Sequence, residues 1–250
     1  SPEIRFAGVG TERVEETLVK LYPRATLRRM DSDTLKKKED YKRILTEFRQ
    51  GKVDILIGTQ MIAKGLHFPN VTLVGIIYAD LSLHIPDFRS GERTFQLITQ
   101  VAGRAGRGEV EGDVYVQSLT PFHPAIQYAR RHDYIGFYEQ EWEFRQQTGY
   151  PPSRRLALVT LRGLHEEKIR LSANHMRQAL EQATTDLSGV SFSGPAPAPL
   201  ERVENHYRFQ ILVRAHRMQR LSVCMAEVLQ SLRLPEGVKV SVDIDPVNLC

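Results

Sequence analysis

Across residues 1–120, short apolar runs alternate with stretches of helical periodicity, and this alternation restricts the fold more than any other feature. Val53-Asp54-Ile55-Leu56-Ile57 and residues 71–77 read as buried strands, with further strands over 4–9, 25–30 and 112–119. Between them, Val14, Leu18 and Leu21 recur at i, i+4 and i+7, a pattern ended by Pro23. Tyr41, Ile44, Leu45 and Phe48 mark a second helix, stopped by Gly51. Phe95, Ile98, Val101 and Ala102 mark a third. Strands alternating with helices imply an α/β fold, a parallel sheet with helices on both faces. In such sheets ligands gather at the loops beyond the carboxyl ends of the strands.

The second half has a different rhythm. Pro124 starts one long helix through Ala129, Tyr134, Phe137, Trp142 and Phe144 to Gly149, and the near-helical spacing of its aromatics makes them packing surface. Tyr150-Pro151-Pro152 breaks regular structure, so the domains are expected at 1–149 and 150–250. Beyond it come a strand over 156–161, a helix over 166–187, a strand over 207–214, a helix over 217–232 and a strand over 238–244. A further strand within 190–203 would complete a βαββαβ unit of ferredoxin-like type. Its prolines, in Gly194-Pro195-Ala196-Pro197-Ala198-Pro199, cannot donate and put such a strand at a sheet edge. A stiff linker is the other reading of the same residues.

Composition bounds the function classes. Of 250 residues 41% are apolar, enough for a core in each of two domains, and no apolar run reaches the roughly 20 residues of a membrane span. Ser1-Pro2-Glu3-Ile4-Arg5 lacks the features of a secretory signal, and with no initiator methionine the expectation is a fragment or a processed product. Cys224 and Cys250 have no metal spacing and read as reduced thiols of a cytoplasmic protein. The net charge of +4 is compatible with nucleic acid without requiring it.

Two stretches carry chemistry. In Gln100-Val101-Ala102-Gly103-Arg104-Ala105-Gly106-Arg107, each arginine follows a glycine that lets backbone approach a ligand closely. The guanidinium fork suits phosphate oxygens, while a basic helix terminus alone would also suit the macrodipole. In Gly58-Thr59-Gln60-Met61-Ile62-Ala63-Lys64-Gly65-Leu66-His67-Phe68-Pro69, a threonine, a glutamine and a lysine follow a buried strand and offer donors to phosphate. Two such loops at one sheet can converge on a polyphosphate.

These stretches resemble motifs VI and V of superfamily 2 helicases. With Asp87-Phe88-Arg89, Glu92-Arg93, Gly8-Val9-Gly10-Thr11-Glu12-Arg13, Tyr207-Arg208-Phe209-Gln210 and Asp243-Ile244-Asp245-Pro246, the resemblance narrows. The whole chain is similar to the PriA-type family of primosomal replication-restart helicases. The resemblance implies a RecA-like lobe 2 followed by an α+β domain like ribosomal protein S10, within an ATP-dependent 3′→5′ DNA helicase that remodels stalled forks for primosome assembly. By position, it gives Arg107 the finger role toward the γ-phosphate, Arg104 a phosphate contact or relay, and Gln100 the positioning of water or finger. Lys64, Gly65 and Gly103 would border the nucleotide. Gly10, Thr11, Thr59, Gln60, Tyr207 and Arg208 would meet DNA, with helix capping and loop hydrogen bonding as the bland readings of Thr11 and Thr59. Arg154, Arg155, Arg202, Arg214 and Arg217 are further phosphate candidates. His67 stands where many relatives carry an acidic residue and reads as an ordinary polar loop histidine.

One departure matters: no G-x-x-x-x-G-K-[ST] occurs in the chain, so ATP and Mg²⁺ would be held mainly by a lobe 1 outside it. The family's cysteine-rich zinc insertion is likewise outside it, no metal ligands are expected here, and the chain alone is expected to be inactive. Implied partners are branched and single-stranded DNA, primosome proteins and single-stranded DNA-binding protein, with no membrane and a monomeric state. The rival readings are another superfamily 2 DNA translocase and a non-catalytic DNA-binding or protein-docking module.

Overall fold

The structure is a computed structural model, and it describes residues 10–31, 38–59, 62, 70–103, 105 and 111–249. Helix α1 (Thr11–Leu21) follows the Val14, Leu18, Leu21 repeat and leads through a turn into β1 (Leu27–Met30). Helix α2 (Lys38–Arg49) then crosses over to β2 (Ile55–Gly58), which runs parallel to β1 with Met30 opposite Gly58. Ile44 and Leu45 of α2 bury against Met30, so the apolar face of the crossover helix closes this layer. A Cβ at Gly58 would stand 2.5 Å from the Met30 carbonyl oxygen, which is why glycine ends the strand there.

The next crossover repeats the plan. Strand β3 (Leu73–Ile76) pairs in parallel with β4 (Asp113–Val116), and α3 (Ser90–Ala102) lies between them in sequence. Phe95 and Ile98 of α3 share a core with Ile76, Ala125, Ile126 and Phe137. Among the described residues the ladders are two parallel pairs, β1–β2 and β3–β4, rather than one continuous run. The strand expected over 4–9 lies outside the described residues.

The single long helix expected from Pro124 is two helices, α4 (Pro124–Arg130) and α5 (Tyr134–Thr148). His132 has φ 54°, a left-handed conformation that stops the i→i−4 ladder, and the Asp133 carboxylate then accepts from the Gly136 N–H at 2.8 Å to start α5. Aromatic periodicity runs through this break and hides it. The aromatics do pack: Phe137 stacks on Phe95 with centroids 4.4 Å apart.

The last part is the βαββαβ unit. Strands β5 (Arg155–Gly163), β6 (Ser191–Val203), β7 (His206–Ala215) and β8 (Lys239–Ile244) form an antiparallel sheet in the order β6-β7-β5-β8. Helices α6 (Glu166–Ala183) and α7 (Met218–Ser231) cover one face, packing Ile169, Met176, Leu180, Leu221 and Met225 on Val159, Leu161, Phe209, Ile211 and Val213. The proline-rich segment is a strand at the sheet edge, not a linker. Glu204 and Asn205, with φ 49° and 65°, make the left-handed two-residue turn between β6 and β7.

The chain divides into two units, Ser1–His84 with Arg89–Phe137, and Ile85–Phe88 with Tyr138–Cys250. The division therefore falls within α5 rather than at 149/150, and it carries a short excursion of the first half into the second unit. Side chains explain this. Phe137 belongs to the Phe95 core, whereas Arg145 places its guanidinium 5.0 Å over the Phe88 ring and donates to the Pro151 carbonyl at 3.1 Å.

Candidate nucleic-acid interface

In a sheet, alternate side chains leave opposite faces. Phe209, Ile211 and Val213 point to α6 and α7, so Arg208, Gln210, Leu212 and Arg214 stand on the helix-free face. The register sets Arg208 of β7 opposite Arg162 of β5, and Arg162 opposite Lys239 of β8. Three cations thus lie side by side on neighbouring strands about 4.8 Å apart. Arg162 and Lys239 are exposed and Arg208 is half-buried. Among the described residues, none of the three forms an ion pair. Like charges directly opposite one another destabilise a sheet, so this row costs the fold something.

The neighbouring rows change character. Gln210, Thr160 and Ser241 form a polar row, with Ala196 of β6 opposite Gln210. Next come Leu212 and Leu158, which merge into a cluster with Phe88, Leu156, Leu249 and Tyr150. Most other candidate arginines are occupied internally. Arg155 is paired with Asp245; Arg154 donates to Ser191 Oγ at 3.3 Å and Arg214 to Ser193 Oγ at 2.7 Å. Arg202 lies 5.1 Å over the Tyr207 ring.

The structure does not bring Tyr207 and Arg208 together. Tyr207 pairs with Gly163 on the helix side, so adjacent residues of β7 serve opposite faces. Arg208 is on the basic row; Tyr207 instead gives a ring face to Arg202.

In the first unit, the Thr11 contact to Asp31 and the exposed Thr59 both lie at the carboxyl edge of β1–β2, with Gly10 just ahead of Thr11. Gly10 is the N-cap of α1, so Thr11 is not the cap, and the Thr11 hydroxyl donates at 2.5 Å to Asp31, which directly follows β1. Asp31 is buried, with Arg29 Nε 3.5 Å away and Glu15 3.3 Å from the same nitrogen. Thr59 is exposed directly after β2, and its carbonyl accepts from Ile62 N–H at 3.2 Å. Gln100 is exposed in the last turn of α3, and Gly103 caps that helix by donating to the Thr99 carbonyl at 3.1 Å. Gln60, Lys64, Gly65, Arg104 and Arg107 lie outside the described residues, and so does any convergence of their loops.

Comparison with known proteins brings the two halves together. The family described as "Helicase conserved C-terminal domain" matches residues 9–109, and "Primosomal protein N C-terminal domain" matches residues 146–247. The protein named "Replication restart protein PriA" in Bacillus subtilis (strain 168) is 44% identical over 98% of this chain. Its namesakes in Synechocystis sp. and Treponema pallidum are 38% identical over 100% and 41% identical over 99%. The chain belongs to the PriA family. It spans 31%, 30% and 37% of the length of those three relatives, about a third of each.

The PriA match also orders the geometry. The helicase-type range takes in α1 to α3 with the carboxyl edge of β1–β2, and the primosomal range takes in the whole antiparallel sheet with its basic row. Sequence reasoning reached Arg208 but missed Arg162 and Lys239. The signal was available: Arg162 continues the Leu158, Thr160 parity of β5, yet only the strand register shows that Lys239 lies beside it.

Proposed function

We propose that this chain supplies the second RecA-like lobe and the DNA-engaging C-terminal domain of an ATP-dependent 3′→5′ DNA helicase. Its task is to recognise and remodel stalled replication forks so that the primosome assembles and replication restarts. The observation that carries this reading is the order of the two family matches on one chain, helicase C-terminal domain first and primosomal C-terminal domain second.

In this reading Arg107 stabilises charge on the transferring phosphoryl group, a role worth about 10³–10⁵ in rate. Arg104 contacts phosphate, Gln100 orients the attacking water or the finger, and Lys64, Gly65 and Gly103 border the nucleotide. Gly10, Thr11, Thr59 and Gln60 track the DNA backbone, and Arg208 adds a phosphate contact on the C-terminal sheet. In this reading ATP and Mg²⁺ are held mainly by a P-loop lobe, and zinc by the family's cysteine-rich insertion. Branched and single-stranded DNA, primosome proteins and single-stranded DNA-binding protein are the partners, and the protein works as a cytoplasmic monomer.

The basic row favours a second description for the chain by itself, a DNA-binding module without turnover. One experiment addresses both readings. ATP hydrolysis is measured with forked DNA for the 250-residue chain and for the chain joined to a P-loop lobe, with and without Arg107→Ala. The chain alone stays silent; the joined protein hydrolyses ATP and unwinds the fork, and Arg107→Ala lowers turnover by about 10³-fold with ATP affinity little changed. Turnover by the chain alone, or normal turnover with Arg107→Ala, is the contrary result.

A further inference from the structure

The helix-free face of the C-terminal sheet carries a recess of about 220 Å³ beside the basic row. Its walls include Pro86, Tyr150, Leu158, Ala196 and Leu212, and Gln210 lines it as well. The amide nitrogen of Gln210 is buried and has no hydrogen-bond partner among the described residues. A buried donor without an acceptor is a cost that native structures rarely leave uncompensated. Arg208 lies two residues along the same strand and on the same face, which puts the cationic row roughly 7 Å from the Gln210 row.

We propose that this recess holds one unpaired nucleobase, while the phosphates beside that nucleotide lie on Arg208, Arg162 and Lys239. The proposal rests on the DNA reading above and narrows it to a strand whose bases are free. Apolar walls with a single amide suit a flat heterocycle that carries carbonyl and ring-nitrogen acceptors. Base and phosphate are joined through one sugar, and the recess and the row are joined through one step of alternation on β7. An acidic peptide would satisfy the cations but would leave the apolar walls and the amide unexplained. Both faces of Tyr150 are taken, by Phe88 at 4.9 Å and by the Arg214 guanidinium at 4.8 Å. A base therefore meets the edge of that ring and the proline and leucine walls. Paired bases in a duplex are not available to the recess without unstacking, which sets single strands apart from duplex.

The test compares three fluorescent ligands on the 250-residue chain by anisotropy: an oligothymidylate, an abasic strand of the same length, and a blunt duplex. The oligothymidylate is expected to bind about tenfold more tightly than the abasic strand. Ala196→Trp fills the recess from an exposed edge position; it is expected to bring the oligothymidylate down to the abasic level while abasic binding stays constant. Gln210→Leu is expected to act in the same direction, and far-ultraviolet circular dichroism checks that both variants fold. Arg162→Ala is expected to weaken both strands by the same factor. Equal affinity for base-bearing and abasic strands, or a base preference untouched by Ala196→Trp, overturns the base site and leaves the DNA reading standing. Absence of binding to every nucleic acid overturns both, and so does preferential displacement of the strands by polyglutamate.

Discussion

The rings of Phe88 and Tyr150 lie 4.9 Å apart with 15° between their planes, and each ring carries an arginine, Arg145 at 5.0 Å over Phe88 and Arg214 at 4.8 Å over Tyr150. The result is a stack of two rings between two cations, with Leu156, Leu158 and Leu249 packed in the same cluster. Phe88 comes from a segment that in sequence lies just ahead of α3, the helix that carries Gln100.

Removal of that ring is expected to destabilise the second unit. Phe88 is 9% exposed, and Phe88→Ala should cost about 3 kcal/mol, with Phe88→Leu costing less. Urea unfolding followed by fluorescence of Trp142, the single tryptophan, measures it. An unchanged midpoint would show that the stack contributes nothing.

The basic row should trade stability for binding. At low salt Lys239→Ala is expected to raise stability by about 0.5 kcal/mol, because it removes one like-charge pair, and the gain should vanish near 1 M salt. The same variant should weaken single-strand binding and reduce the slope of log affinity against log salt by about 0.7. A loss of stability in Lys239→Ala would mean that the row is not frustrated.

Asp80 should give the first unit an acid-sensitive contact. Its carboxylate is 1% exposed and accepts from Leu119 N–H at 2.8 Å, Thr120 N–H at 3.1 Å and Thr120 Oγ1 at 3.2 Å. Burial alone pushes the carboxyl up, but these backbone and hydroxyl donors outweigh it and hold it below its ordinary value. A depressed pKa in the folded state means that the contribution is complete above the unfolded carboxyl range and is lost as pH falls through the folded pKa. Asp80→Asn should therefore be less stable than the parent at pH 7, with a gap that narrows toward pH 2 in urea titrations. A gap that stays constant across that range refutes the assignment.

The β6–β7 turn holds a glutamate in a conformation that suits glycine. Glu204 has φ 49°, and Glu204→Gly is expected to raise the thermal midpoint, with a gain of about 1 kcal/mol at that position. Oligonucleotide binding should not change, because the turn is not part of the helix-free face. A lowered midpoint would indicate that the Glu204 side chain contributes more than its backbone costs.

Much of the fold was legible because local periodicity carries it. Val14, Leu18 and Leu21 specify α1, and the prolines at 195, 197 and 199 specify an edge position for β6. What escaped depended on distant contacts. The break at His132 leaves no trace in the aromatic pattern, and the packing of Phe88 on Tyr150 follows from tertiary structure alone. At the candidate site the same limit applies. Arg208 stands out as a residue, but its company with Arg162 and Lys239 is a matter of strand register, and so is its separation from Tyr207.

The edge strand β6 has a consequence for how this sheet behaves among its own kind. Pro195, Pro197 and Pro199 sit at alternate positions, so three backbone groups along the outer strand carry no N–H. A strand arriving from a second molecule would find carbonyls without their complementary donors, and its ladder could not propagate. The sheet is thereby capped on that side. Copies of the protein can crowd together without zipping into fibres along that edge.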